Sequence, residues 1–202
     1  MNILSLLFVS LLTTNQPDSL IPVPNLTAFT HPKFFYNNGC KCGMFNPIFF
    51  QLEIYNKPTE STTLPYNSGS SWIIPPSFEV GHSVIITGKQ GDFFRIKFNE
   101  EEENPVNSQC KGCTYYVKKG TLGTWVYNYN YGTDEFEPVP LYKEPCKNSK
   151  ITTMLKGKDS VVIILDIQGD WMFVETFTKG KKKSGWLDPK MQCGNPYGLD
   201  AM

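Results

Sequence analysis

The chain repeats itself. Val84-Ile-Ile-Thr-Gly-Lys-Gln-Gly-Asp-Phe-Phe-Arg-Ile-Lys97 lies over Val162-Ile-Ile-Leu-Asp-Ile-Gln-Gly-Asp-Trp-Met-Phe-Val-Glu175 without a gap, and the two Gln-Gly-Asp triplets stand 78 residues apart (168 − 90). Two further anchors keep the same order. Upstream, Leu52-Glu-Ile-Tyr-Asn-Lys-Pro58 matches Val139-Pro-Leu-Tyr-Lys-Glu-Pro145; downstream, Gly123-Thr-Trp-Val126 matches Ser184-Gly-Trp-Leu187. Anchors repeated in one order mark a duplicated supersecondary unit, so any fold assigned to one copy must suit both.

Each copy reads as strands and turns. A β-branched apolar run ends in Gly-Asp, a hairpin signal, and alternation then resumes. Phe94 and Ile96 alternate with Arg95 and Lys97; Trp171, Phe173 and Glu175 alternate with Met172 and Val174. A polar loop and a short strand carrying Trp125 or Trp186 complete each copy. No window sustains a helical period. An aromatic share of 14%, with 16 Gly and 15 Pro, fits short strands joined by many turns. Five or so strands in ~60 residues must curl into a small barrel to hide their edges.

The order Leu-Tyr-x-x-Pro, a β-rich run, Gly-Asp-Trp and Gly-Trp-Leu resembles the bacterial SH3 (SH3b) family. The resemblance implies an all-β chain of two tandem SH3-like barrels, the first (46–132) divergent and carrying insertions, the second (138–193) regular. It places Leu141-Tyr142 in the first strand of the second copy, Gly169-Asp170-Trp171 in a hairpin and Gly185-Trp186 in the closing strand. It also implies a groove paved by Tyr142, Trp171 and Trp186 in the second copy and by Tyr55, Phe93 and Trp125 in the first, with a place in the core as the alternative for Trp125 and Trp186. Aromatic side chains bind extended peptide or sugar through large contact area at small entropic cost. The insertion from Tyr66 to Pro76 is placed as a lid or an extension of the first groove, and Tyr127, Tyr129 and Tyr131 as closing strand or linker.

Little points to catalysis. His31 and His82 are the only histidines, and neither lies in a nucleophile elbow or a metalloprotease motif. The sequence therefore predicts a non-catalytic binding module, with peptide, cell wall or envelope protein as ligand. The alternatives are a structural or inhibitory interaction protein with unused grooves, or a zinc-stabilised cytoplasmic module. Lys and Arg balance Asp and Glu at 19 each, which disfavours nucleic acid as a partner. Glu100 to Glu103 and Lys179 to Lys183 read as opposite-charged hairpin tips, solvated or in contact with one another.

No cofactor is required, although zinc enters with the cysteines. Cys40, Cys42, Cys110 and Cys113 form C-x-C and C-x-x-C pairs, read as a tetrahedral zinc site, as structural disulfides or as a redox pair. Cys146 and Cys193 follow the first and last strands of the second copy; the family's barrel implies that those strands are adjacent, and hence a Cys146–Cys193 disulfide.

The N-terminus supplies the compartment. Ile3 to Leu12 is apolar except for Ser5 and Ser10, the length of a signal-peptide core and too short for a membrane span. Residues 1–16 are predicted to be a signal peptide, 17–45 an N-terminal segment or linker and 194–202 a C-terminal tail. The protein is then exported and not membrane-spanning, or cytoplasmic if the segment is retained.

Overall fold

The computed structural model describes residues 19–30, 54–59, 83–100, 110–126, 128–157, 160–178 and 181–193. These residues hold thirteen strands and one short 3-10 turn. The predicted signal peptide, His31, His82, Cys40, Cys42 and the insertion from Tyr66 to Pro76 lie outside them.

The duplication is visible in the strand register. β2 (Ser83–Gln90) pairs with β3 (Phe93–Phe98) across a two-residue turn, Gln90 opposite Phe93. β10 (Ser160–Gln168) pairs with β11 (Trp171–Thr178) in the same way, Gln168 opposite Trp171. Gly91 and Gly169 take φ of 52° and 60°, a conformation that glycine supplies at the first position of a tight hairpin turn. Even the irregularity is copied. Register shifts between Ile86 and Gly88 in one hairpin and between Ile164 and Asp166 in the other, 78 residues on (164 − 86).

The next strand corrects one sequence match. β4 (Thr114–Lys118) sets Val117 opposite Phe94 and Tyr116 opposite Arg95. β12 (Lys181–Leu187) sets Leu187 opposite Met172 and Trp186 opposite Phe173. Tyr116, not Trp125, is therefore the counterpart of Trp186. The similarity of Thr-Trp-Val to Gly-Trp-Leu hid this, because a tyrosine fills the tryptophan's place.

Trp125 lies instead on β5 (Leu122–Val126), which serves both copies. Along one edge, Gly123 to Val126 face Ile163 to Ser160 of β10. Along the other, Gly123 and Leu122 face Phe29 and Thr30 of β1 (Ile21–Thr30), while Trp125 and Val126 face Cys193 and Gln192 of β13 (Gln192–Cys193). The first unit thus runs β4-β3-β2-β1-β5, and the second runs β12-β11-β10-β5-β13. In chain order, β5 is the last strand of one and the first strand of the other.

Two separate closed barrels were expected. The structure has instead one 11-stranded antiparallel sheet through both units, and no closed barrel is found among the described residues. The shared strand explains the difference, since β5 satisfies backbone groups on both sides and joins the ladders. The sheet is nevertheless bent. In a flat ladder β4 and β5 would lie about 19 Å apart, four strand spacings, whereas the four residue steps from Lys118 to Leu122 reach at most ~14 Å.

β1 lies within residues 17–45, expected to be an N-terminal segment or linker, and it contains Pro22 and Pro24. The break in its pairing with β2 falls between Pro22 and Leu26, where a strand tolerates a residue without an N–H. Beyond the break, Ala28 and Phe29 are buried. β8 (Val139–Tyr142) lies between β12 and β9 (Ile151–Leu155). The intervening linker folds as a small hairpin of β6 (Tyr129–Asn130) and β7 (Glu135–Phe136), with the Tyr129 ring 4.9 Å from Tyr131 and 5.0 Å from Phe136. One continuous core carries Ile86, Phe94 and Leu122 of the first unit with Ile164, Met172 and Leu187 of the second.

A polar joint ties the two copies at the bulge of β10. Lys89 reaches Asp166 at 3.0 Å and the Ile167 carbonyl at 2.6 Å, and Lys119 reaches Asp166 at 3.2 Å. The Gly120 N–H donates to the Ile164 carbonyl at 2.9 Å. Burial alone would raise the Asp166 carboxyl; hydrogen bonds from Lys89, the Ile167 backbone and Lys119 outweigh it and hold the group below the usual carboxylate range.

Candidate functional site

Pleating of the second unit sorts its side chains onto two faces. Met172 and Val174 on β11, Leu187 on β12 and Leu141 on β8 are buried in the core. Trp171, Phe173, Trp186 and Tyr142 therefore take the opposite face, where all four are half-buried. Register aligns them: Phe173 is opposite Trp186, and Trp186 is opposite Tyr142. Tyr142 and Trp171 meet edge to face, with centroids 5.6 Å apart and planes at 82°. Phe173 and Trp186 pack at 5.3 Å and 56°. Such pairs contribute about 0.5–1.5 kcal/mol beyond area burial and fix ring orientation.

Close strand approach builds this face. A Cβ on Gly185 would sit 2.7 Å from the Thr152 hydroxyl oxygen, 2.9 Å from the Leu141 Cβ and 3.0 Å from the Tyr142 carbonyl oxygen. Glycine there allows β8 to lie flat on β12. The Thr152 hydroxyl reaches the carbonyls of Leu141 (3.0 Å) and Ser184 (3.1 Å). At the far end, buried Asp188 accepts from the Lys190 N–H at 2.9 Å, capping the 3-10 turn Pro189–Met191, and pairs with Lys147 at 2.7 Å. The hydrogen bond to Asp188 raises the Lys147 ammonium above its ordinary value. The Gln192 side-chain amide donates to the Asp170 carbonyl at 3.0 Å, tying the hairpin turn to the same corner.

The first unit places the equivalent pair differently. Tyr55 and Phe93 meet at 5.4 Å and 80°, nearly the same geometry. Tyr55 bridges Tyr116 as Tyr142 faces Trp186. Yet Tyr55 is 2% exposed and Phe93 is 7% exposed. Both were expected to line a ligand groove; both are core residues. Arg95 stands where Phe173 stands in the second copy, and its guanidinium donates to the Thr87 hydroxyl (3.0 Å) and carbonyl (3.3 Å). Trp125 belongs to β5, in register with Val161 and Cys193, and not to the strand beside Tyr55. Phe173 was missed as a site residue, although its place two positions after Trp171 on an alternating strand set it on the same face.

Of the charged runs, Glu101 to Glu103 and Lys179 lie outside the described residues. Lys181, Lys182 and Lys183 are strand residues of β12, and Lys182 is ion-paired with buried Glu175 of β11. Among the cysteines, Cys110 and Cys113 are joined in a disulfide with Cα atoms 5.6 Å apart. In that state the two offer no thiolates to a metal. Among the described residues no group of three or more His, Cys, Asp and Glu side chains is placed to hold one. Cys146 is an exposed free thiol. The expected adjacency of first and closing strands is present, β8 beside β12, but the 3-10 turn Pro189–Met191 then carries Cys193 onto β5, so the expected Cys146–Cys193 bridge is not formed.

No helix among the described residues is long and apolar enough to cross a membrane. Set against protein-family models, curated proteins and solved structures, the chain matches none of them.

Proposed function

We propose that the chain is a non-catalytic binding protein of two SH3b-like units, in which the second unit holds the ligand and the first is a scaffold. The observation that carries this reading is the aromatic pair built twice with one geometry, buried as Tyr55–Phe93 and half-exposed as Tyr142–Trp171. A core needs its aromatics covered; a recognition surface needs them fixed but accessible. The ligand is an extended peptide of the bacterial envelope, from peptidoglycan or from an envelope protein, lying along Trp171, Phe173, Trp186 and Tyr142. The Cys110–Cys113 disulfide suits an exported protein.

Charge favours an acidic ligand. Residues 138–193 hold ten lysines and six carboxylates, a net of +4 (10 − 6), against −4 for the rest of a neutral chain. Pull-down on purified cell wall, alongside solubilised envelope protein, tests the reading. Trp171→Ala should abolish capture with the circular dichroism of the protein unchanged, and capture retained by that variant would overturn it.

A further inference from the structure

The strand ladder has two ends, and they are finished differently. At one end β4 is covered by the Tyr55 segment, which exchanges hydrogen bonds with Tyr116 (Tyr55 N–H to Tyr116 O, 2.9 Å; Tyr116 N–H to Tyr55 O, 2.8 Å). In the second unit β8 takes that covering position on β12, and β9 is then added outside it. Among the described residues nothing pairs with the outer edge of β9. Its sequence, Ile151-Thr-Thr-Met-Leu155, contains no charge and no proline, the devices by which exposed edges are usually blunted. Ile151 and Met154 are 48% and 46% exposed.

The backbone direction follows from Pro140. It stands opposite Met154 and has no N–H to give, so the pair occupies a non-hydrogen-bonded position of the antiparallel ladder. The N–H and C=O of Met154 then point away from β8, toward the open edge. Exposed lysines bracket the strand, Lys150 before it and Lys156 after it. An antiparallel second copy of β9, centred on Thr153, would set Lys150 against Lys156 at both ends. Like charges opposed across strands are destabilising, so a second copy is disfavoured and an acid-flanked strand fits.

We propose that β9 is a strand-acceptor edge that takes an extended peptide with acidic residues at both ends, adding a strand to the sheet by β-augmentation. This edge lies two strands from Trp186 and one strand from Tyr142, which faces Ile151; a strand added to it extends the sheet beyond the aromatic row. The matching peptide carries a β-branched centre between two glutamates six positions apart (156 − 150).

The test is fluorescence anisotropy with that labelled peptide and a lysine-flanked control. The glutamate-flanked peptide should bind, and the control should bind at least about tenfold more weakly. Met154→Pro removes the outward N–H at an edge position where proline is tolerated; it should abolish binding and leave the fold intact, whereas Trp171→Ala should leave this binding unchanged. Lys150→Glu with Lys156→Glu gives a second arm independent of any effect of proline on folding, and should reverse the preference between the two peptides. Absence of binding by the acidic peptide, equal binding of the two peptides, or charge-reversed protein that keeps its preference would overturn the proposal. Loss of binding by Trp171→Ala as well would also overturn it, since the peptide would then occupy the aromatic face.

Discussion

The two units share a ladder, a hairpin turn, a bulge and an aromatic pair, and they differ in what stands beside the pair. In the first, Arg95 and Tyr116 flank Phe93, and the pair is buried. In the second, Phe173 and Trp186 flank Trp171, and the aromatic surface reaches solvent. Gly185 in the second unit corresponds to Tyr115 in the first, on the register that matches Trp186 with Tyr116. Tyr115 packs its ring 6.2 Å from Phe98, whereas Gly185 clears room for β8. A duplicated backbone thus allows one copy to be specialised for stability and the other for contact.

Several substitutions press on that contrast. Phe94→Ala empties a fully buried site in the first unit and should cost about 3–5 kcal/mol. Because β5 belongs to both ladders, thermal unfolding should shift as one transition; a second transition left at the original temperature would separate the units. Tyr55→Ala should cost about 2–4 kcal/mol, since the ring is buried, while Tyr142→Ala should cost ~1 kcal/mol or less and act on ligand binding. Equal losses in urea titrations would erase the distinction between scaffold and surface. Gly185→Ala should cost about 1–3 kcal/mol by crowding Leu141 and Thr152 and should weaken ligand capture. A variant as stable and active as the parent would remove the close-approach explanation.

The smallest effect concerns the joint between the units. The Asp166 carboxyl is depressed in the folded state by Lys89 and Lys119, so its contribution is present above the ordinary carboxylate pKa and is lost as pH falls through its lower folded value. The group is partly solvated, with 37% of its side chain exposed, which limits the contribution to a few tenths to ~1 kcal/mol. Asp166→Asn should flatten the acid limb of the stability profile by that amount, and an unchanged limb would show the joint to be neutral.

Much of this was legible in the residues. Gln-Gly-Asp fixed both hairpins because a two-residue turn needs glycine's positive φ, and alternation set Met172 and Val174 on one face against Trp171 and Phe173 on the other. The Ile54-Tyr55 and Leu141-Tyr142 segments were matched correctly, Tyr55 to Tyr142. What failed depended on long-range pairing. Trp125 resembles Trp186 in its neighbours but pairs with other strands, and no local signal reveals which. β1 was hidden by two prolines that the bulge absorbs. The burial of Tyr55 and Phe93 depends on packing by elements distant in sequence, so residue type alone offered both as ligand contacts. The same limit applies to Cys146 and Cys193: the first and closing strands do lie side by side, but the 3-10 turn after β12 leads Cys193 to β5.

Backbone nuclear Overhauser contacts across β5 in the labelled full-length protein test the shared strand directly. Contacts from Gly123 to both Phe29 and Ile163, together with contacts from Trp125 to both Val161 and Cys193, should appear in one spectrum. Cross-strand contacts from β5 to β1 alone, with β10 paired to some other strand, would contradict the duplicated ladder with a common member.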